Sequence, residues 1–126
     1  MIAIPNFIIK RMYRSGSLRL QPDGMAFDIQ NNVGPGSVIG VHFVRFRADE
    51  EITVLPEQLL FSVGDVQRLG HTISEDDPLT SNMGELVTCL ARELVLPVAR
   101  YEITLDLLSL EGGRLAITVQ DQLTLA

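Results

Sequence analysis

The sequence predicts an all-β fold, a two-layer antiparallel β-sandwich of immunoglobulin-like type with about seven to nine strands and little helix. Three observations carry this. Apolar residues alternate with polar ones in short runs: Met25, Phe27 and Ile29 alternate with Ala26, Asp28 and Gln30, the period of a strand with one buried face. Turn chemistry, not helix, separates the runs, and this excludes a parallel α/β sheet, whose crossovers need about ten residues or more. Tyr101 opens a late strand just after a corner at Pro97, the setting of a tyrosine corner, in which the hydroxyl bonds upstream backbone.

The elements follow in chain order. Residues 5–13 mix aromatics, aliphatics and cations. Read as one or two helical turns, they put Phe7 and Arg11 on one face and Ile8 and Met12 on the next. So short a segment buries too little apolar area to hold a membrane surface, so it is expected to pack across the open end of the sandwich or against a second subunit. Gln21-Pro22-Asp23-Gly24 is a turn, because proline presets φ, Asp bonds its own backbone and Gly accepts positive φ; residues 18–30 therefore form a hairpin. Gly34 and Gly36 let the chain enter the β-branched and aromatic strand 38–47 sharply. Strands 52–55 and 59–63 flank Pro56, which cannot donate to a ladder and belongs at an edge or bend. Gly64-Asp65 is a tight turn, 66–73 a weak strand and 74–82 a polar loop.

The segment 83–94 supports two readings. Met83, Leu86, Val87, Leu90, Ala91 and Leu94 have helical spacing, and Asn82 with Glu85 resembles a capping box. Leu86, Thr88 and Leu90 also alternate with Val87, Cys89 and Ala91, which favours a strand over 85–92. Residues 101–110 and 114–120, joined by Glu111-Gly112-Gly113, make a C-terminal hairpin.

Composition sets the boundaries of function. The 126 residues are 46% apolar with a single cysteine, and Leu, Ile and Val number 39, enough for one folded domain spanning 1–126 and too many for a disordered chain. No apolar run reaches the length of a transmembrane segment, and the basic residues follow the apolar start, unlike a secretory leader, so a cytoplasmic location is expected. The net charge of −6 disfavours nucleic acid as a partner. It is also unevenly distributed. Residues 1–22 hold Lys10, Arg11, Arg14 and Arg19 without a carboxylate, giving +4, and the remainder carries −10. Such an arm steers toward an anion or toward the acidic body of another copy.

Reactive constellations are hard to find. His42 and His71 lie in no zinc pattern, so they read as a strand and a loop residue and no metal site is expected. Cys89 sits within an apolar segment, where a cysteine is a small inert core residue. There is no GxSxG elbow. In Gly34-Pro35-Gly36-Ser37-Val38-Ile39-Gly40 the third glycine falls one residue late for a dinucleotide fingerprint and a strand follows instead of a helix, so no cofactor is assigned. The acidic run Glu75-Asp76-Asp77 lacks the spacing and glycine of a calcium loop.

The series Pro5-Asn6-Phe7, Lys10-Arg11, Tyr13, Gly16-Ser17-Leu18, Asp23-Gly24, Phe27, Asn31, Gly34-Pro35-Gly36 and the closing Gly113, Leu115, Val119 and Asp121 resembles a family of short archaeal and bacterial proteins. These often carry the label hydroxymethylglutaryl-CoA reductase. Full reductases are several times longer, bind a nicotinamide cofactor and use Glu, Lys, Asp and His. Where one of their motifs reads Glu-Asn-Val-Ile-Gly, this chain has Gly36-Ser37-Val38-Ile39-Gly40, and Lys10 is its only lysine. The resemblance therefore implies an all-β fold and transfers no catalytic residue.

Two functions remain. One is a non-enzymatic sandwich that forms a homo-oligomer or binds a protein partner through an apolar sheet face or edge, since 18 leucines exceed what a small core hides. The alternative is a module or enzyme for a small anionic ligand, an acyl-CoA or nucleotide phosphate, held by Lys10, Arg11, Arg14 and Arg19.

Overall fold

The computed structural model describes residues 6 to 125. The chain starts with α1 (Asn6–Met12) and continues through β1 (Arg19–Gln21), β2 (Gly24–Gln30), β3 (Gly36–Arg47), β4 (Glu51–Val54), β5 (Leu59–Val63) and β6 (Val66–Leu69). It ends with β7 (Leu79–Ser81), β8 (Leu86–Arg92), β9 (Arg100–Ser109), β10 (Gly113–Gln122) and β11 (Thr124–Leu125). One sheet has the order β11-β1-β2-β8-β5-β6; the other runs β10-β9-β3-β4, with β7 also pairing β3. The inward residues of both sheets, among them Phe27, Leu59, Phe46 and Ile103, form one core. The fold is the expected all-β sandwich.

Most local expectations match. The 18–30 hairpin closes with Gln21 opposite Gly24, and β10 pairs β9 without interruption from Gly113↔Ser109 to Gln122↔Arg100. Gly113 takes φ 70° in the turn between them, a conformation glycine reaches without a Cβ penalty. Tyr101 donates its hydroxyl to the Pro97 carbonyl at 2.5 Å, the contact of a tyrosine corner. Rings meet tilted at a centroid distance of 5.7 Å for Tyr13 and Phe27, and edge-to-face at 6.4 Å for Phe27 and Phe46 and at 6.4 Å for Phe46 and Tyr101, linking the two sheets.

The segment 83–94 resolves as β8, paired on both sides by β2 and β5. The capping-box contact exists nonetheless: the Asn82 amide donates to Glu85 Oε1 at 2.6 Å. Here it closes a tight turn into a strand, because two flanking strands offer β8 a full ladder while a lone helix would leave their edges open.

Four features differ from expectation. The weak strand expected over 66–73 stops at Leu69, and Gly70–Thr72 forms one 3-10 turn, with Gly70 tight against the Pro56 backbone. Residues 79–81, placed in a loop, form β7 against residues 36–38 of β3. Among the described residues the count reaches eleven strands, because short pieces such as β7 and β11 are defined by their partners and carry little pattern of their own. One pair, β1 with β11, is parallel; the chain end is drawn there by fully buried Leu123 and by the Thr124 amide donating to the Leu18 carbonyl at 3.3 Å. Of the N-terminal stretch, Pro5 lies outside the described residues. Asn6–Met12 forms α1, which packs against β10 and buries Ile9, and Tyr13 follows it in a bridge to Ile29. No helix among the described residues is long and apolar enough to cross a membrane.

Candidate functional site

The outer face of the six-stranded sheet has an unusual composition. Because Met25, Phe27 and Ile29 point into the core, their neighbours Ala26, Asp28 and Gln30 point outward. Register places Ala26 opposite Leu90, Leu90 opposite Leu60 and Leu60 opposite Leu69, so one apolar row crosses β2, β8, β5 and β6 on the solvent side. Within this row Ala26 and Leu90 are already buried by their neighbours, and Leu60 and Leu69 are half-buried. Leu60 and Leu90 floor a shallow depression walled by Pro22, Asp23, Arg92 and Glu93. The next row, Asp28–Thr88–Ser62–Gln67, is wholly polar.

The basic residues of the arm divide between two places. Arg19 reaches Asp28 at 3.2 and 3.3 Å and donates to the Ser17 carbonyl at 2.8 Å; Asp28 also accepts from Thr88 Oγ1 at 2.9 Å. Arg14 donates to Gln30 Oε1 at 3.2 Å, so both flank the β2 side of the outer face. Lys10 and Arg11 lie exposed on the last turn of α1, with the Arg11 guanidinium 5.9 Å from the Phe7 ring centroid, the same-face pairing expected of a helix.

The opposite sheet carries a cluster that strand patterning did not reveal. Asp106, only 2% exposed, sits on the outer side of β9 between His42 of β3 and Arg114 of β10. His42 Nδ1 is 2.7 Å from Asp106 Oδ1, and Arg114 donates through Nε at 3.1 and 3.2 Å and through Nη2 at 2.6 Å. An ionised carboxylate only accepts, so this geometry places a proton on Nδ1. Hydrogen bonds from Arg114, and secondarily from His42, hold the Asp106 carboxyl below its ordinary 3.8. His42 is the strand residue the sequence indicated, and it falls where β3 slips register between Val41 and Phe43. The one available signal was a lone carboxylate between Leu105 and Leu107, on the face opposite them.

The sign of the pH effect follows. The native carboxyl binds its proton less readily than the unfolded one, so its stabilisation is present above pH 3.8 and is lost as pH falls through the native value. Acid unfolding followed by circular dichroism should show this loss in the wild type and a flatter slope in Asp106→Asn. Equal slopes would separate Asp106 from acid stability.

Between the sheets lies an apolar cavity of about 120 Å³, open at one end beneath the loop 33–37. Met12 of α1, Val87 and Cys89 of β8, and Leu115 and Ile117 of β10 are among its walls. Cys89 is fully buried, and desolvation pushes its thiol far above the ordinary range, which fits the inert core role expected of it. Gly34 takes φ 138° in the loop above, the sharp exit the sequence assigned to the Gly-Pro-Gly run.

Together these features define a two-layer all-β sandwich with an apolar row on one outer face and an apolar cavity between its layers. The chain belongs to the hydroxymethylglutaryl-CoA reductase, N-terminal domain family, whose model matches residues 8–124. A search of curated proteins finds no match.

Proposed function

We propose that this chain is a non-catalytic β-sandwich module that associates with a second copy of itself through the outer face of its six-stranded sheet. The carrying observation is the apolar row Ala26–Leu90–Leu60–Leu69. A solvent face ordinarily alternates to polar side chains, and the half-buried Leu60–Leu69 end of this row leaves an apolar surface that gains by being covered. A two-fold pairing of such faces is self-complementary, which suits the commonest kind of soluble oligomer. The family description, the N-terminal domain of a reductase, is compatible with a module that assembles.

Charge supports the same partner. The +4 arm of one copy attracts the −10 remainder of another, with the exposed Lys10, Arg11 and Arg14 as the steering residues. Arg19 and Arg14 already engage Asp28 and Gln30 beside the row, which favours an interface rim over a convergent anion pocket.

Sedimentation from micromolar to millimolar protein is expected to show a concentration-dependent dimer that weakens with salt. Leu60→Lys, a charge placed on a half-buried outer position, should leave a monomer whose melting temperature stays close to that of the wild type. A wild-type chain that stays monomeric throughout would overturn the proposal.

A further inference from the structure

We propose that the cavity between the sheets is a binding site for a small uncharged apolar molecule, the tail of a short-chain aliphatic alcohol being the representative chemistry. This site is separate from the outer face discussed above.

Size is the first observation. A dry apolar cavity of about 150 Å³ takes a molecule the size of benzene. At about 120 Å³, this one holds a chain of roughly five or six carbons. Its walls come from both sheets and from α1, and its deeper part is core, with Ile29, Phe61 and Leu107 buried. Few of the lining groups offer a hydrogen bond to water, which therefore gains little by filling the space.

The mouth supplies the second observation. Asn31 there is 6% exposed and spends its amide on the protein itself. Its Nδ2 donates to the Gly34 carbonyl at 2.6 Å and to Ser81 Oγ at 2.9 Å, and its Oδ1 accepts from the Val33 and Gly34 amides at 3.1 and 3.3 Å. The loop is thereby held open over the cavity and does not collapse into it. Among the described residues Glu111 is the single charged side chain in the lining; its Oε1 accepts from the Ser37 amide at 2.8 Å and lies 3.4 Å from Ser109 Oγ. A carboxylate at the rim repels a carboxylate or phosphate head, so the ligand's polar end is uncharged. Exposed Val33 is part of the lining and gives the mouth an apolar approach.

The test is a chain-length series of straight alcohols, from propanol to octanol, titrated against the full chain and read by methyl NMR. Ile29, Leu107 and Ile117 should shift saturably. Affinity should rise about fourfold per methylene and level off once the cavity is full, near five or six carbons. Hexanoate at neutral pH should bind at least tenfold more weakly than hexanol. Cys89→Leu, which replaces the sulfur with three carbons and so fills part of the cavity, should remove the hexanol response while the protein still melts cooperatively. Should that variant fail to fold, the plateau and the hexanoate comparison in the wild type decide alone. Absence of saturable shifts, a rise without a plateau, or equal binding of hexanoate would each overturn the proposal.

Discussion

Asp121→Ala is expected to destabilise the protein by about 3 to 4 kcal/mol, one of the largest effects available from a single polar side chain here. Its carboxylate, 6% exposed near the end of β10, accepts from four donors. Tyr13 Oη lies 2.7 Å from Oδ2, the Gly16 amide 3.0 Å and the Leu18 amide 3.2 Å from the same oxygen, and the Gln122 amide 2.9 Å from Oδ1. Three of these belong to the segment that joins α1 to β1, more than a hundred residues earlier in the chain, so one side chain ties the N-terminal segment to β10. Truncation leaves several buried donors without an acceptor, and each such loss costs about 1 to 3 kcal/mol before relaxation. Burial and the Asp121 carboxylate together push the Tyr13 hydroxyl far above its ordinary range, so it remains a donor at all working pH values. Tyr13→Phe removes one donor and keeps the ring against Phe27, and should cost only about 1 kcal/mol. Urea unfolding of the two variants measures both, and equal losses would contradict the four-donor account.

Gly24→Ala should destabilise by about 3 kcal/mol, for reasons of backbone rather than polarity. Gly24 sits at φ 147°, and a Cβ built there would lie 2.0 Å from the Ala91 carbonyl oxygen and 3.0 Å from the Glu93 amide nitrogen. Both are backbone atoms of or beside β8, so relief requires moving a strand that is paired on both sides. Gly64→Ala makes the control. At φ 57° with no atom of the described residues within 4 Å of the added carbon, it meets strain without collision and should cost about 1 kcal/mol. Thermal melts of the pair separate the two effects, and similar melting temperatures would show that β8 yields easily.

Much of the fold was legible because strands and turns are local chemistry. Met25, Phe27 and Ile29 declare a buried face by their spacing, Pro22-Asp23-Gly24 declares the hairpin, and Tyr101 after Pro97 declares a corner whose hydrogen bond spans only four residues. β7 was not legible, since Leu79–Ser81 is a strand only where β3 accepts it. Nor was the choice at 83–94 visible from within. Its residues satisfy helical and strand periods alike, and Asn82 with Glu85 makes the same contact in either case.

The site shows the same division. Composition and order already separated a +4 arm from a −10 remainder and left Cys89 as an inert core thiol. They could not show that Arg19 spends its charge on Asp28, that His42 meets Asp106 across 64 residues of chain, or that Ala26, Leu90, Leu60 and Leu69 fall in one row. Those facts depend on register, which is a relation between strands. The cavity depends on how two sheets and a helix fail to fill the space between them. Local windows of sequence hold the preferences of each segment. Pairing, sidedness and empty volume arise only when distant segments compete for the same neighbours.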